Sequence, residues 1–299
     1  EDTDGGREGK VTFKGQQSGG EETTLAQIQA SHDGTSDDEK GDLIFKTNDG
    51  SDGASPTERL RIDSAGAIIT ATLGTDTVKL GDGAGESIAS GGNNNTLIGH
   101  DAGKSITTGT VNTFVGNLAG DAVTTSHHNT GVGHQALTTN VLGSNSVAVG
   151  SFALNSQNPA SAADMHNTAV GYNAGQAITT ATKNTIVGAT AGDALTTGGS
   201  SVAIGFGALT SETAASNSIA IGQTALENQN IGSGDSHNIA IGRNAGGQIT
   251  SGVTNTFIGG YAGDAVQTSD NNTSVGYLTL SANCGEGNTA LGSTAGMVV

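Results

Sequence analysis

The residues best suited to metal chemistry in this sequence are histidines. His127 and His128 are adjacent, and His100 and His134 occupy equivalent places in two related segments. Imidazole nitrogens bind transition metals, and a symmetric assembly multiplies each inward-facing histidine. His127 and His128 are therefore the candidate metal ligands. The chemically mixed residues in the column of His100 and His134 instead indicate a solvent-exposed surface.

Carboxylates offer a second kind of chemistry. Asp121, Asp193 and Asp264 share one repeat position, and Glu227 falls in the same column. A glycan hydrolase needs two carboxyl groups about 5 to 9.5 Å apart. The aspartates recur every fourth repeat, roughly 19 Å apart, and Glu227 lies roughly 10 Å from the nearest. Because the chain also has no tryptophan to stack sugar rings, we expect no enzyme activity. A tailspike-type glycan hydrolase is the lesser alternative, with a site in the longer segments 155–166 and 227–237.

Two short motifs resemble ligand-binding loops without matching their spacing. "GHDAGKS" at 99–105 encloses three residues between its glycines rather than the four of a phosphate-binding loop. "DGTSDDEKGD" at 33–42 is acidic but lacks the spacing of a calcium loop. Both are interpreted as solvated turns, and no cofactor is expected.

Composition limits the classes of partner. The 299 residues include 49 glycines, one cysteine (Cys284) and 3% aromatics, and the formal charge is −17. Such a charge repels nucleic acid and anionic membranes, and no apolar run is long enough to insert into a membrane. A single cysteine excludes an intrachain disulfide framework. The sequence begins with Glu1 rather than Met, so a processed product or a fragment is expected.

A repeat of about 17 residues defines the structural elements that position these side chains. Twelve units follow one another at a spacing of 17 residues, with a longer gap after every fourth unit, which gives three sets of four. Each unit is aligned on a turn glycine that follows a Val, Ile or Leu. These glycines are Gly99, Gly116, Gly133, Gly150, Gly171, Gly188, Gly205, Gly222, Gly242, Gly259, Gly276 and Gly292.

Two further columns accompany the glycine. Alanine stands three residues after it in eleven units, and Thr279 is the exception. Asparagine stands four residues before it in nine units and serine in three. Stacked asparagines form hydrogen-bonded ladders, and single asparagines form turns, so either structural role fits. The nine are Asn95, Asn112, Asn129, Asn167, Asn184, Asn238, Asn255, Asn272 and Asn288.

A fixed period of this length predicts a repeat architecture in which each unit stacks on the next. The β-branched stretch before the glycine, flanked by turn residues, predicts an all-β parallel β-solenoid or β-roll of about twelve rungs over residues 91–299. Residues 1–90 predict a small β-rich N-terminal attachment region, with strands in "GKVTFKG", "GDLIFKT", "ERLRIDSAGAIIT" and "TVKLGDG". There, Leu60 and Ile62 are expected to face inward and Arg59 and Arg61 outward.

The strand before each glycine is apolar or small on both faces. A strand with two such faces is expected to be buried on both, one against its own coil and the other against another chain. The sequence therefore predicts a cyclic homo-oligomer.

The units "SVAVGSFAL" at 146–154, "SVAIGFGAL" at 201–209 and "SIAIGQTAL" at 218–226 resemble the head repeats of the trimeric autotransporter adhesins, the YadA-like parallel β-roll. This resemblance covers residues 95–299 and implies a homotrimer with an adhesive or spacer function. The run "DLIFKTNDGSDGASPTERLRIDSAG" resembles segments of phage tail fibres.

Together these features predict a structural fibre protein, a phage tail fibre or shaft segment for display and host-surface attachment. The expected partners are its own copies and a host cell-surface glycan or protein. The alternative is a bacterial or archaeal surface adhesin or extracellular filament subunit, and either would act on a virion or outside a cell. An ice-binding surface is disfavoured because the residues around the recurring threonines, such as Thr107 and Thr179, are too irregular for a flat lattice-matched face.

Overall fold

The computed structural model describes residues 8–16, 22–32, 41–48, 56–66, 68–70 and 77–297. The chain divides into two compact units, Glu1–Leu73 and Gly74–Val299. Within the described residues every regular element is a β-strand, as the sequence predicts.

The N-terminal unit is an antiparallel sheet of five strands in the order β1-β2-β3-β4-β5. The second strand is the longest, and the sequence pattern does not predict it because "TLAQIQ" mixes apolar and amide side chains. The β-bulges at Phe13/Lys14 and Phe45/Lys46 shift the register locally. The strands are β1 (Glu8–Gln16), β2 (Glu22–His32), β3 (Gly41–Thr47), β4 (Thr57–Ile62) and β5 (Ile68–Thr70).

The second unit is a parallel β-solenoid whose rungs contribute to one sheet of 13 strands. Rung follows rung in the order of the chain, and equivalent residues pair, as Ala203 does with Ala220. The first three strands are β6 (Val78–Leu80), β7 (Thr96–Ile98) and β8 (Thr113–Val115), and then come β9 (Thr130–Val132), β11 (Val147–Val149), β13 (Thr168–Val170), β14 (Thr185–Val187) and β15 (Val202–Ile204). The last five are β16 (Ile219–Ile221), β17 (Ile239–Ile241), β18 (Thr256–Ile258), β19 (Thr273–Val275) and β20 (Thr289–Leu291).

The solenoid begins before residue 91. Strand β6 pairs in parallel with β7, and Gly81 follows it at the repeat position, so "TVKLGDG" forms a rung instead of a strand of the N-terminal region. The repeat is harder to see here because Thr77 replaces the asparagine and Lys79 replaces the apolar core residue. Thr77 still takes the asparagine's role, since its hydroxyl accepts from the Asn95 backbone N–H at 3.3 Å.

The repeat glycine makes the corner after each strand. Its φ lies between 106° and 141° in every rung, a region that residues with a Cβ rarely adopt. A Cβ added to Gly171 would lie 2.5 Å from the carbonyl oxygen of Gly188 on the next rung. Both the backbone conformation and the close stacking of the rungs therefore require glycine.

The solenoid core is narrow and is filled by four columns, the middle residue of the rung strand and the residues three, four and seven after the corner glycine. Apart from Lys79 in the first rung and Ala295 in the last, the middle residue and the residue three after the glycine are buried in every rung. Where the middle residue is large, as Phe257 is, glycine stands four after the corner, because a Cβ at Gly263 would lie 2.5 Å from that ring. Where the middle residue is Ala203, Leu209 occupies the same place and fills the space. Where both positions are small, as at Ala240 and Gly246, side chains of the neighbouring rungs fill the space instead.

The asparagine column forms a ladder. The Asn95 side-chain oxygen accepts the backbone N–H of Asn112 at 2.9 Å, and Asn112 accepts that of Asn129 at 3.1 Å. Most of these side-chain amides also donate to the backbone of their own turn, as Asn95 does to the carbonyl of Gly109 at 2.9 Å, whereas the Asn272 amide nitrogen has no partner among the described residues. The same residues therefore both form the ladder between rungs and stabilise the turn, two roles that the sequence left as alternatives.

Both longer segments of the repeat are closed by extra pairing. Strands β10 (Gly143–Ser144) and β12 (Ala163–Asp164) form a separate two-stranded parallel sheet where the chain lengthens after the fourth sequence unit, that of Gly150. Where the chain lengthens after the eighth unit, that of Gly222, Ser216 and Asp235 form a corresponding parallel bridge. Stacking thus continues past the longer segments 155–166 and 227–237.

Candidate functional site

The outward-facing side of the solenoid sheet is the most uniform surface of the chain. In strands β7 to β20 of this sheet, the middle residue points into the core, while the first and third residues point outward and are partly exposed. The third residue is always Val, Ile or Leu, and Val170, Ile241 and Ile258 each have 37% of their surface exposed. The first residue is Thr, Val or Ile, and no charged residue occurs in these strands. We call this surface the aliphatic face.

The N-terminal sheet has a second apolar surface, which we call the N-terminal apolar face. It combines Val11 and Phe13 of β1 with Ile28, Leu43 and Ile62, which neighbour one another by strand pairing. Val11 is 57% exposed and Phe13 is 50% exposed. The expectation that Ile62 faces inward is therefore wrong for this unit, since 37% of Ile62 is exposed.

The opposite side of the N-terminal sheet is polar and better buried. Asp42 accepts from the Arg61 guanidinium at 2.5 Å and from the Ser64 backbone N–H at 3.0 Å, while Arg61 also binds Glu58 at 2.7 Å. The Arg61 hydrogen bond lowers the pKa of Glu58 below its ordinary value. Ion pairs thus satisfy the charged groups on the polar side, whereas the apolar side exposes aliphatic and aromatic side chains to solvent.

The candidate metal ligands His127 and His128 lie on the surface. Their rings contact edge to face with centroids 5.7 Å apart, and the His127 Nδ1 lies 3.3 Å from the carbonyl of Thr125. His127 borders a shallow cavity of about 250 Å³ together with Ser126, Ser144 and Asp164. In the part of the chain that the structure describes, no three His, Cys, Asp or Glu side chains converge on a point.

The column of carboxylates is engaged in contacts between rungs. Asp121 accepts a hydrogen bond from Thr138, and Asp193 accepts one from Thr210 at the same position of a later set. Asp264 is the third member, and burial raises its pKa above the ordinary value. These carboxylates therefore contact side chains of the next rung. The residues considered from the sequence as a catalytic carboxylate pair thus have a structural role.

Lys104, in the segment that resembles a phosphate loop, is bound to carboxylates. Its ammonium lies 3.2 Å from Asp101 and 3.7 Å from Glu86, and the hydrogen bond to Asp101 raises its pKa. These residues line an open cavity of about 490 Å³ with Asp82 and His100. Because carboxylates line this cavity and already neutralise its one lysine, the cavity does not suit a phosphate group. In the other motif, Asp42 is a buried structural residue, and 33–40 lie outside the described residues.

A buried polar network, not anticipated from the sequence, lies beside the insert 227–237. Glu212 is completely buried and accepts from the backbone N–H groups of Ala215 at 2.8 Å and Ile231 at 3.2 Å. Gln229 donates to Glu212 at 3.1 Å and to Ser218 at 2.8 Å. The sequence signal for this network is the residue seven after the repeat glycine. That residue is aliphatic in the first two units of each set and polar in the third and fourth, except for the terminal Val299.

No family model, no curated protein and no solved structure matches this chain. Among the residues that the structure describes, none forms a helix long and apolar enough to cross a bilayer. The structure therefore defines the class of fold, a parallel β-solenoid preceded by an antiparallel sheet.

Proposed function

We propose that this protein is a structural fibre protein, a segment of a viral tail fibre or shaft, which assembles as a homotrimer and displays a surface for attachment to a host. The observation that carries the proposal is the aliphatic face. It runs without a charged residue from β7 to β20 and leaves its Val, Ile and Leu side chains partly exposed.

A continuous exposed apolar surface is typical of an interaction site, and this one has the repeat of the rod itself. Its partner must present a matching surface of the same length, and a second copy of the chain does so. Each chain carries a formal charge of −17, so copies repel one another elsewhere on their surfaces. The uncharged face is where they can approach, and a closed ring of three covers every copy equally.

The N-terminal apolar face supports the same proposal. Antiparallel sheets commonly bury one face, and here the apolar face is the more exposed one. Copies held together through their solenoids keep their N-terminal sheets at a high local concentration, which favours association of these faces as well.

The alternative is a surface adhesin or extracellular filament subunit, because the repeat units resemble adhesin heads, whereas the resemblance to phage tail fibres lies in residues 42–66. Both versions act by display on a virion or outside a cell, and neither assigns a catalytic residue. A chaperone or virion-attachment segment next to this chain would favour the phage fibre. A coiled coil and a membrane anchor would favour the adhesin.

The experiment is the solution mass of the full chain by light scattering, with Val170→Asp as the test variant. We expect three chains for the wild type and one folded chain for the variant, because the new carboxylate lies outside the core and opposes its own copies. Thr108→Asp adds the same charge at an exposed residue away from the aliphatic face and should remain trimeric. A folded wild-type monomer, or a trimer unaffected by Val170→Asp, would contradict the proposal.

A further inference from the structure

The aromatic residues of this chain are concentrated on one edge of the solenoid. The chain has six phenylalanines, three tyrosines and no tryptophan. Five of these nine stand one or two residues after a repeat glycine, including every tyrosine. We call these two positions, from His134 to Leu278, the aromatic edge. Its five aromatic residues are Phe152, Tyr172, Phe206, Tyr261 and Tyr277.

The rings contact one another from rung to rung. His134, Phe152 and Tyr172 form one series on consecutive rungs, with edge-to-face contacts at 5.1 and 6.1 Å between centroids. Arg243, Tyr261 and Tyr277 form a second series, in which the guanidinium lies 5.5 Å from the Tyr261 centroid and the tyrosines are 6.2 Å apart. Both series alternate between the first and the second position after the glycine, so the same arrangement occurs twice.

Much of this ring surface is open to solvent. Tyr172 is 55% exposed, Phe206 60% and Tyr277 54%. Contacts between rings explain part of the arrangement, since edge-to-face pairs of aromatic rings attract one another. They do not explain Phe206, for which no ring contact occurs among the described residues and which is the most exposed of the three.

The electrostatic character of the edge differs from that of the chain. The protein has 28 acidic residues, yet none stands at either position of the aromatic edge. The groups between the rings are amides, hydroxyls, the His134 imidazole and the Arg243 guanidinium. This set of groups donates and accepts hydrogen bonds and has few net charges.

We propose that the aromatic edge binds an extended glycan chain that lies along the rod. The C–H faces of sugar rings are apolar and pack on aromatic rings, while their hydroxyls exchange hydrogen bonds with amides, imidazole and guanidinium. Rings on alternate rungs are roughly 10 Å apart at the rise of a parallel sheet, which is on the scale of a disaccharide. A polymer with that repeat contacts successive rings in register. The inference deepens the proposed attachment function and rests on it for its biological context.

A second copy of the chain fits this edge less well than a glycan does. The aliphatic face is uniform from rung to rung, as a repeated intersubunit contact requires. The aromatic edge varies from tyrosine to alanine to arginine along the rod, at the positions just after the corner glycine. Such variation is suited to a ligand that differs in its groups along its length.

The test is binding of the labelled full chain to a printed array of bacterial surface polysaccharides and animal oligosaccharides, followed by titration with the strongest glycan. We expect Tyr172→Ala and Tyr277→Ala each to weaken binding at least tenfold, and Tyr172→Phe to stay within about threefold because it keeps the ring. Thr108→Ala, at an exposed residue outside the edge, should bind like the wild type. Circular dichroism and light scattering on each variant report fold and mass.

The inference is overturned if the wild type binds no glycan on the array, or if binding is unchanged by both tyrosine-to-alanine substitutions. It is also overturned if these substitutions change the mass of the assembly, because the edge would then be an intersubunit contact. A monomeric chain that still binds glycans through Tyr172 would contradict the proposed trimer and leave the glycan site supported.

Discussion

The Asn238 side-chain amide donates to the Gln229 side-chain oxygen at 2.8 Å, and this bond joins two rungs that an insert separates. Gln229 also donates to Ser218 at 2.8 Å, so one glutamine replaces the direct contact between neighbouring members of the ladder. Gln157 has the corresponding role at the earlier insert, where its side-chain oxygen accepts from Ser146 at 3.2 Å and from Asn167 at 3.0 Å. The ladder is thus continued across longer turns by a buried glutamine.

Gln229→Leu is expected to lower the free energy of unfolding by about 2 to 4 kcal/mol. Leucine fits, since aliphatic residues occupy the same position in other rungs. The loss arises because Glu212, Ser218 and Asn238, all buried, each lose one of their hydrogen bonds. Urea unfolding followed by circular dichroism measures it. Gln267→Leu, at an exposed glutamine, should change stability by less than about 0.5 kcal/mol. Equal effects of the two substitutions would contradict the role assigned to Gln229.

Gly171→Ala is expected to cost at least about 3 kcal/mol, enough to disrupt the stack locally. The φ of Gly171 is 138°, and the added Cβ would meet the Gly188 backbone on the next rung. Gly285→Ala is the matched control, because a Cβ there has nothing within 4 Å and the backbone conformation is ordinary. Thermal unfolding of the two variants compares them. A Gly171→Ala chain as stable as the control would show that the rungs can separate to admit a side chain.

Much of the solenoid could be predicted from the sequence because its physics is local and repeated. The strand, the corner glycine, the core alanine and the ladder asparagine recur at fixed spacing, and each has one environment. Less could be predicted where a rung departs from the pattern. The first rung was assigned to the N-terminal region because Thr77 and Lys79 replace its signature residues, although Ala84 and Gly85 match the repeat.

The candidate site was predictable only in part. An apolar surface on each side of the rung strand follows from alternation, but which side faces the core depends on the direction of the corner. The buried network of Glu212 could not be inferred from composition, since a glutamate in a polar turn usually lies in solvent. Leu60 and Ile62, on the apolar side of the N-terminal sheet, were expected to face inward. The sequence does not show that ion pairs, such as that between Asp42 and Arg61, satisfy the charged groups on the other side of the sheet.

The core should tolerate an exchange of volume between columns. Gly263→Leu alone is expected to cost about 3 kcal/mol, because its side chain would overlap the Phe257 ring. Combining it with Phe257→Ala reproduces the rung of Ala203 and Leu209, in which leucine adopts a φ of 56°, close to the 62° of Gly263. The double variant should therefore be more stable than the sum of the single losses predicts, by about 2 kcal/mol or more. Urea unfolding of all four chains gives the coupling energy, and strict additivity would show that the two columns are filled independently.

Asp264 is expected to make stability depend on pH. Burial raises its pKa, and its Oδ1 has no hydrogen-bond partner in the described residues. An acid whose pKa is raised on folding is harder to ionise in the folded chain than in the unfolded chain. The folded chain is therefore favoured while Asp264 is protonated, and this advantage is lost as the pH rises from the unfolded pKa through the folded one.

Asp264→Asn removes the ionisation, so its Tm at neutral pH should be higher than that of the wild type. The difference should narrow as the pH falls below the raised pKa, where the wild-type carboxyl is also neutral. Asp193→Asn is the control at the same repeat position, because Thr210 already donates to that side chain and an amide oxygen can accept the same bond. Thermal unfolding of the three proteins across the acidic to neutral range measures both effects. A lower Tm for Asp264→Asn at neutral pH would mean that the charged carboxylate stabilises the rung, and that contacts between rungs outweigh the cost of its burial.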